Sequence, residues 1–140
     1  MTRILPVLTS LLCLASLSSG LAETPASLQD GIYSEAQARR GSEAYSARCA
    51  SCHAVDLRGA SNAPGLLGVG FMFLWEGRSV GELYNKMRTE MPSEQPGSLP
   101  PQSYADILGL ILQVNGFPAG EQELRADADW LDNVLISPAP

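Results

Sequence analysis

Histidine and cysteine are almost missing from this chain: 140 residues hold one histidine and three cysteines. Three cysteines cannot build a disulfide framework, and a lone histidine cannot build a multi-histidine metal site. Basic charge is scarce as well, with Lys+Arg 9 against Asp+Glu 15 and a net charge of −6. That balance argues against a nucleic-acid binder, which needs basic side chains to displace phosphate counterions. It also disfavours docking on anionic lipid. Charged residues are only 17% of the chain, whereas apolar residues are 45%, enough for a buried core and too many for a disordered protein. The length fits one domain, and neither an internal repeat nor a second domain is legible.

One long apolar run exists, and it lies at the start. Residues Met1 to Ala22 read as a cleaved signal peptide: Arg3 as n-region, Leu5 to Leu17 as h-region, and Gly20-Leu21-Ala22 before a cut at Glu23. A membrane anchor is the competing reading, but a spanning helix needs about 20 predominantly apolar residues. Leu12 before Cys13 does not fit a lipoprotein signal, so Cys13 reads as a discarded h-region residue. Cleavage removes Arg3 and no acid, leaving a more negative chain whose expected location is the periplasm, an oxidising compartment. No stable membrane insertion is expected after cleavage.

The remaining two cysteines flank the only histidine, in Cys49-Ala50-Ser51-Cys52-His53. This is C-x-x-C-H, the attachment signature for c-type haem. Two intervening residues, about one helical turn, bring both thiols to one side, where each can form a thioether to a haem vinyl group. His53 then lies where its imidazole can bind iron as the proximal ligand. A thioredoxin-like pair also uses C-x-x-C but expects a βαβ context, and no convincing strand is legible. A zinc site would need a fourth protein ligand.

Around the motif the chain reads as helical. Ser34-Glu35-Ala36-Gln37 is a capping box, and Ala38, Gly41, Tyr45 and Cys49 follow on one face. Gly41 is either a point of close backbone approach or a tolerated weak spot. Asp56 to Gly70 reads as loop, and Phe71-Met72-Phe73 as buried filler. A second capping box, Ser79-Val80-Gly81-Glu82, opens a helix with Val80, Leu83, Tyr84 and Met87 on one face, ended by Met91-Pro92. A third helix is expected from about Pro101 to Asn115, with Tyr104, Ile107, Leu108, Ile111 and Leu112 as its apolar stripe. In the acidic tail, Leu124, Ala128, Leu131 and Leu135 suggest a short amphipathic helix, and Trp130, Val134 and Ile136 add surface for packing.

If iron is six-coordinate, the sixth ligand would come from Met72, Met87 or Met91; the alternative is an open position. Met87 is also explained by core packing and Met72 by filler. Met91 follows a helix end in a proline-held loop that can present a side chain to a pocket. A thioether there would favour reduced iron. Trp75 and Arg78 are candidate donors to haem propionates, or else a core residue and a surface charge.

Gly41-x-x-x-Tyr45-x-x-x-Cys49-x-x-Cys52-His53, then Pro64-Gly65-Leu66-Leu67-Gly68, then Met91-Pro92 and a closing helix, resembles class I cytochrome c over about residues 30–118. The resemblance implies an all-α cytochrome c fold of three main helices around one covalent haem c. With the signal pattern and the tail composition, the expected division is residues 1–22 (signal peptide), 23–118 (cytochrome c domain) and 119–140 (acidic tail packed on the domain). The resemblance also implies that Gly41 and Tyr45 pack on the last helix, that the Pro64 carbonyl accepts the His53 imidazole N–H, that Leu66 lines the haem, and that Met91 is the distal ligand. Two departures stand out. Leu110 replaces an aromatic, so a looser crossing, or one using Tyr104, is expected. Pro100 replaces a capping Ser. The segments Leu83 to Arg88, Met91 to Leu99 and Asn115 to Gly120 are similar to cytochrome modules that accompany quinoprotein (PQQ) dehydrogenases. The expected function is single-electron transfer between redox protein partners. A PQQ-dependent dehydrogenase is the suggested donor, and an oxidase or another cytochrome the acceptor. A dedicated dehydrogenase subunit and an open-site haem sensor or enzyme are the alternatives. No catalytic acid, base or nucleophile is evident, and a dihaem peroxidase is disfavoured by the single C-x-x-C-H.

Overall fold

The computed structural model describes residues 27–61 and 63–138; the expected signal peptide lies outside the described residues. Among the described residues, six α-helices follow a short 3-10 turn at Leu28–Asp30. They are α1 (Glu35–Arg48), α2 (Ala50–His53), α3 (Gly68–Trp75), α4 (Val80–Glu90), α5 (Pro101–Val114) and α6 (Ala128–Leu131). Among the described residues there is no strand, only isolated bridges, so the expected all-α class holds.

Helix α1 starts where its capping residue dictates, with Ser34 Oγ accepting from the Gln37 N–H at 3.1 Å. The expected return half of the box is diverted. Gln37 is wholly buried and pairs with the tail: its Nε2 donates to the Leu124 carbonyl at 2.9 Å, and the Leu124 N–H donates to Gln37 Oε1 at 2.6 Å. On the same face Gly41 meets α5 backbone to backbone. A Cβ at Gly41 would stand 2.0 Å from the Asp106 carbonyl oxygen. The expectation of a loose crossing is therefore wrong. The two backbones touch without an aromatic at position 110, and Tyr33 packs at Gly109, 3.6 Å from where a Cβ would be. Tyr104 sends its hydroxyl elsewhere, to the Met91 carbonyl. As expected, Pro100 supplies no side-chain cap to α5, and Pro101 occupies the first turn.

Arg40 fastens the same crossing from outside. Its guanidinium donates to both Asp106 oxygens at 3.0 Å and to both Glu123 oxygens at 2.9 Å. Hydrogen bonding to Asp106, then to Glu123, raises the Arg40 pKa above its ordinary value. The guanidinium fork suits this double bidentate grip.

Helix α4 has the full capping box: Glu82 N–H donates to Ser79 Oγ, and Ser79 N–H to Glu82 Oε2. Its buried stripe includes Val80, Leu83, Tyr84 and Met87, as the periodicity predicts. Two expectations fail nearby. Residues 68–70, read as loop, already belong to α3, whose first residue Gly68 has φ 69. Asn115, just past α5, anchors that start: its Oδ1 accepts from the Gly68 N–H and its Nδ2 donates to the Leu66 carbonyl. Within Phe71-Met72-Phe73, only Phe71 is buried, and Phe73 is 86% exposed.

In the tail, α6 spans only Ala128–Leu131 and the expected amphipathic stripe breaks at Leu135, which is 59% exposed. The chain there is extended and bridges antiparallel at Ser79, so Val134 and Ile136 point inward and Leu135 outward. The Ile136 N–H donates to the Arg78 carbonyl, and the Gly77 N–H to the Ile136 carbonyl, both at 2.8 Å.

Tyr45, 2% exposed, ties the end of α1 to the turn after α2 by donating its hydroxyl to the Ala54 carbonyl at 2.6 Å. Burial pushes its phenol up from 10.0 to about 12.

Two predictions follow from this packing. Gly41→Ala destabilises the haem-loaded protein by about 3 kcal/mol or more in denaturant unfolding, since the added methyl meets backbone rather than a movable side chain. Gly70→Ala, in α3 with nothing within 4 Å, instead stabilises by up to about 1 kcal/mol. For Tyr45, the unfolded chain releases the phenolic proton above about pH 10 while the folded chain keeps it to about 12. The contribution is full below pH 10 and is lost as the pH rises to about 12. In alkaline melting series, the wild type declines more steeply than Tyr45→Phe across that window; parallel curves would contradict the assignment.

Candidate functional site

The C-x-x-C-H segment is a single turn. The Cys52 and His53 N–H groups both donate to the Cys49 carbonyl, at 3.1 and 2.9 Å. This gathers the two thiols and the imidazole beside one another. Cys49 and Cys52 form no disulfide; Cys52 is exposed and Cys49 partly buried. Before any thioether forms, burial pushes the Cys49 thiol up to about 11.

The chain then turns sharply through two non-glycine residues with positive φ, Ala54 (φ 64, ψ 154) and Leu57 (φ 59). Such backbone is costly and persists only where surrounding bonds enforce it. Here the Gly59 N–H donates to the His53 carbonyl at 3.0 Å, and the Leu66 N–H to the Leu57 carbonyl at 2.8 Å. A Cβ on Gly59 would lie 2.5 Å from the Gly65 nitrogen, so the two limbs of the loop can close only around a glycine. The closed loop brings Pro64 back over His53.

His53 Nδ1 lies 2.8 Å from the Pro64 carbonyl oxygen. A carbonyl can only accept, so this bond places a proton on Nδ1; the lone pair of the neutral ring is then on Nε2. The ring is 8% exposed. The bond orients the ring, and in the neutral imidazole it is Nε2 that is left to bind a metal.

These groups border one cavity of about 450 Å³. Eight of the residues singled out in the sequence line it: Cys49, Cys52, His53, Pro64, Leu66, Trp75, Arg78 and Met91. Of the other two methionines, Met87 lines it as well, whereas Met72 does not. Arg78 lies over the Trp75 ring, 4.4 Å from its centroid, and its Nε donates to Glu82 Oε2 at 3.1 Å. Met91 is the residue after α4, with extended backbone (φ −121, ψ 152) that breaks from the helix.

Sequence reasoning missed part of the lining. Leu83 with Met87, and Ile107 with Ile111, form two i, i+4 pairs that face the cavity as well as the core. Periodicity marks them as buried but cannot say that a cofactor-sized space lies beside them. Arg48 and Lys86 add positive charge at the lining. Lys86 pairs with Glu90, and an Arg48 nitrogen lies 3.4 Å from Ser98 Oγ.

The donor set fits a covalently held iron porphyrin: two adjacent thiols, an imidazole with its lone pair free, a thioether, apolar walls for a flat macrocycle, and cations for its carboxylates. No group of three or more His, Cys, Asp or Glu side chains able to hold a bare metal ion occurs among the described residues. No helix among them is long and apolar enough to cross a membrane.

Comparisons with known proteins agree with this chemistry. The family model described as Cytochrome c matches residues 38–115, from α1 through the residue after α5. Comparison with curated proteins and with solved structures gave no match. The matched stretch is more than half of the sequence and contains the whole Cys49-to-Met91 constellation, so the chain belongs to the cytochrome c family, whose domain binds covalent haem c with its iron.

Proposed function

We propose that this chain is a periplasmic single-haem electron carrier. In this reading Cys49 and Cys52 form the thioethers, His53 is the proximal ligand and Met91 the distal one. Pro64 orients His53, Leu66 lines the haem face, and Trp75 and Arg78 serve the propionates. The observation that carries it is the His53–Pro64 bond at 2.8 Å, which directs the histidine's one lone pair from a C-x-x-C-H turn lining the cavity.

When bound, haem c supplies the one-electron ferric–ferrous couple. The chain's own part is to hold that couple still. The His53 ring is pinned through Nδ1, so it keeps one tautomer and one orientation in either redox state. Met91 offers a soft, neutral donor that favours the reduced state. Leu66, Leu83, Ile107 and Ile111 give the cavity apolar walls, which disfavour water beside the haem and so limit solvent reorganisation. Beyond the site, residues 1–22 are read as removed on export. Residues 23–118 form the electron-carrying domain, with 119–140 its acidic tail. The partners are redox proteins, with a quinoprotein (PQQ) dehydrogenase as donor and an oxidase or another cytochrome as acceptor.

The test is optical. The exported, haem-loaded protein should give a sharp low-spin reduced spectrum, show the methionine–iron charge-transfer band when ferric, and bind carbon monoxide slowly when reduced. Met91→Ala should abolish the charge-transfer band and make carbon monoxide binding fast. Retention of the native ferric spectrum in Met91→Ala would remove Met91 as the ligand. Fast carbon monoxide binding by the native protein would replace the carrier reading with an open-site one.

A further inference from the structure

Tyr104 sits in the first turn of α5 and is 3% exposed. Its hydroxyl donates to the Met91 carbonyl oxygen at 2.7 Å and accepts from the Leu99 N–H at 3.4 Å. A phenol has one proton to give and lone pairs to receive, so it can make both bonds at once. Met91 and Leu99 bracket the Pro- and Gly-containing segment that runs from α4 to α5, and both residues line the cavity. Inside that segment the Gly97 N–H also donates to the Met91 carbonyl, at 3.3 Å, and the Gln95 N–H to the Pro92 carbonyl at 2.8 Å. The segment therefore folds back on itself with the Met91 carbonyl as its knot, and Tyr104 fastens that knot to α5.

A methionine side chain has three rotatable bonds and a weakly accepting sulfur, so it does little to fix its own position. What fixes it is the backbone that bears it. At Met91 that backbone has left the helix, with only its N–H still bonded back to the Met87 carbonyl at 3.0 Å. We infer that Tyr104 is a positioning residue: its hydroxyl fixes the Met91 peptide and so keeps the thioether presented to the cavity against competing ligands. The inference rests on the reading of Met91 as distal ligand.

Tyr84 provides the comparison. It is equally buried, and its hydroxyl donates to the Pro101 carbonyl at 3.3 Å, outside the 91–99 segment. Removing either hydroxyl costs a buried hydrogen bond, but only one of them is bonded to the Met91 peptide.

The experiment titrates the ferric, haem-loaded full-length protein with free imidazole and follows displacement of the methionine by loss of its charge-transfer band. Tyr104→Phe should bind imidazole about fivefold more tightly than wild type, corresponding to about 1 kcal/mol, one net hydrogen bond. Tyr84→Phe should stay within about twofold, with a similar drop in thermal midpoint. Unchanged imidazole affinity in Tyr104→Phe, or an equal rise in Tyr84→Phe, overturns the proposal. Should Tyr104→Phe fail to accumulate with haem, amide hydrogen exchange on the wild type decides: protection at Leu99 supports the clamp, and exchange at the rate of an unbonded loop amide refutes it. Failure of the ligand reading is separately visible, because Met91→Ala would then keep the charge-transfer band.

Discussion

At Gly41 the backbone of α1 rests on the carbonyl of Asp106 with no side chain between them. The other parts of the site are placed relative to that contact. Helix α1 runs from it into Cys49 and the C-x-x-C-H turn, while α5 runs from it through Ile107 and Ile111 along the cavity wall. Moving the helices apart by one methyl would shift the thiols and imidazole relative to the apolar wall. The contact has little intrinsic attraction, because a glycine buries almost nothing. It is held closed by its surroundings: Arg40 bridging Asp106 and Glu123, and Gln37 paired with the Leu124 peptide.

Those two bridges give the tail a structural part. Five acids and one arginine lie beyond residue 116, which in composition reads as a solvated acidic strap. Yet Leu124, Leu131, Val134 and Ile136 are each at most 1% exposed. Glu123 meets Arg40, Arg125 stands 5.4 Å from the Trp130 ring centroid, and Asp132 accepts from Ser79 Oγ at 3.0 Å. Part of the tail's charge is thus spent on fixing the α1–α5 and α4 surfaces. The Arg40 pairs are partly exposed, so their value lies in bidentate geometry and in joining three segments rather than in Coulomb energy alone.

What was legible in the sequence was what is local. C-x-x-C-H carries its chemistry within one turn. The boxes at Ser34 and Ser79 mark helix starts, and Met91-Pro92 and Gly116 mark helix ends. Pro64 came from family likeness, and its carbonyl does lie against His53 Nδ1. The misreadings have two causes: a partner distant in sequence, or a segment whose apolar pattern carries no period. Gln37 could have capped its own helix but finds the Leu124 peptide 87 residues away. Helix α3 has apolar residues on every side, so periodicity could not show that Phe71 turns inward and Phe73 outward. Leu131 and Leu135 have helical spacing, but pairing with residues 77–80 makes the chain extended there, and burial alternates from Val134 to Ile136.

The two candidate axial residues are controlled in the same physical way. Neither His53 nor Met91 is held by a charged neighbour. His53 is set by a carbonyl from the strained Ala54–Gly65 loop, and Met91 by what its own carbonyl receives from Tyr104 and Gly97. Contacts between neutral groups respond less to a change of charge in the cavity than an ion pair would, because they carry no net charge to attract or repel it. A site meant to change charge repeatedly with little motion is better built on such contacts. The cations at the lining fit the same logic: Arg78 and Lys86 are each paired with a carboxylate on α4, so their charge is partly balanced before anything binds.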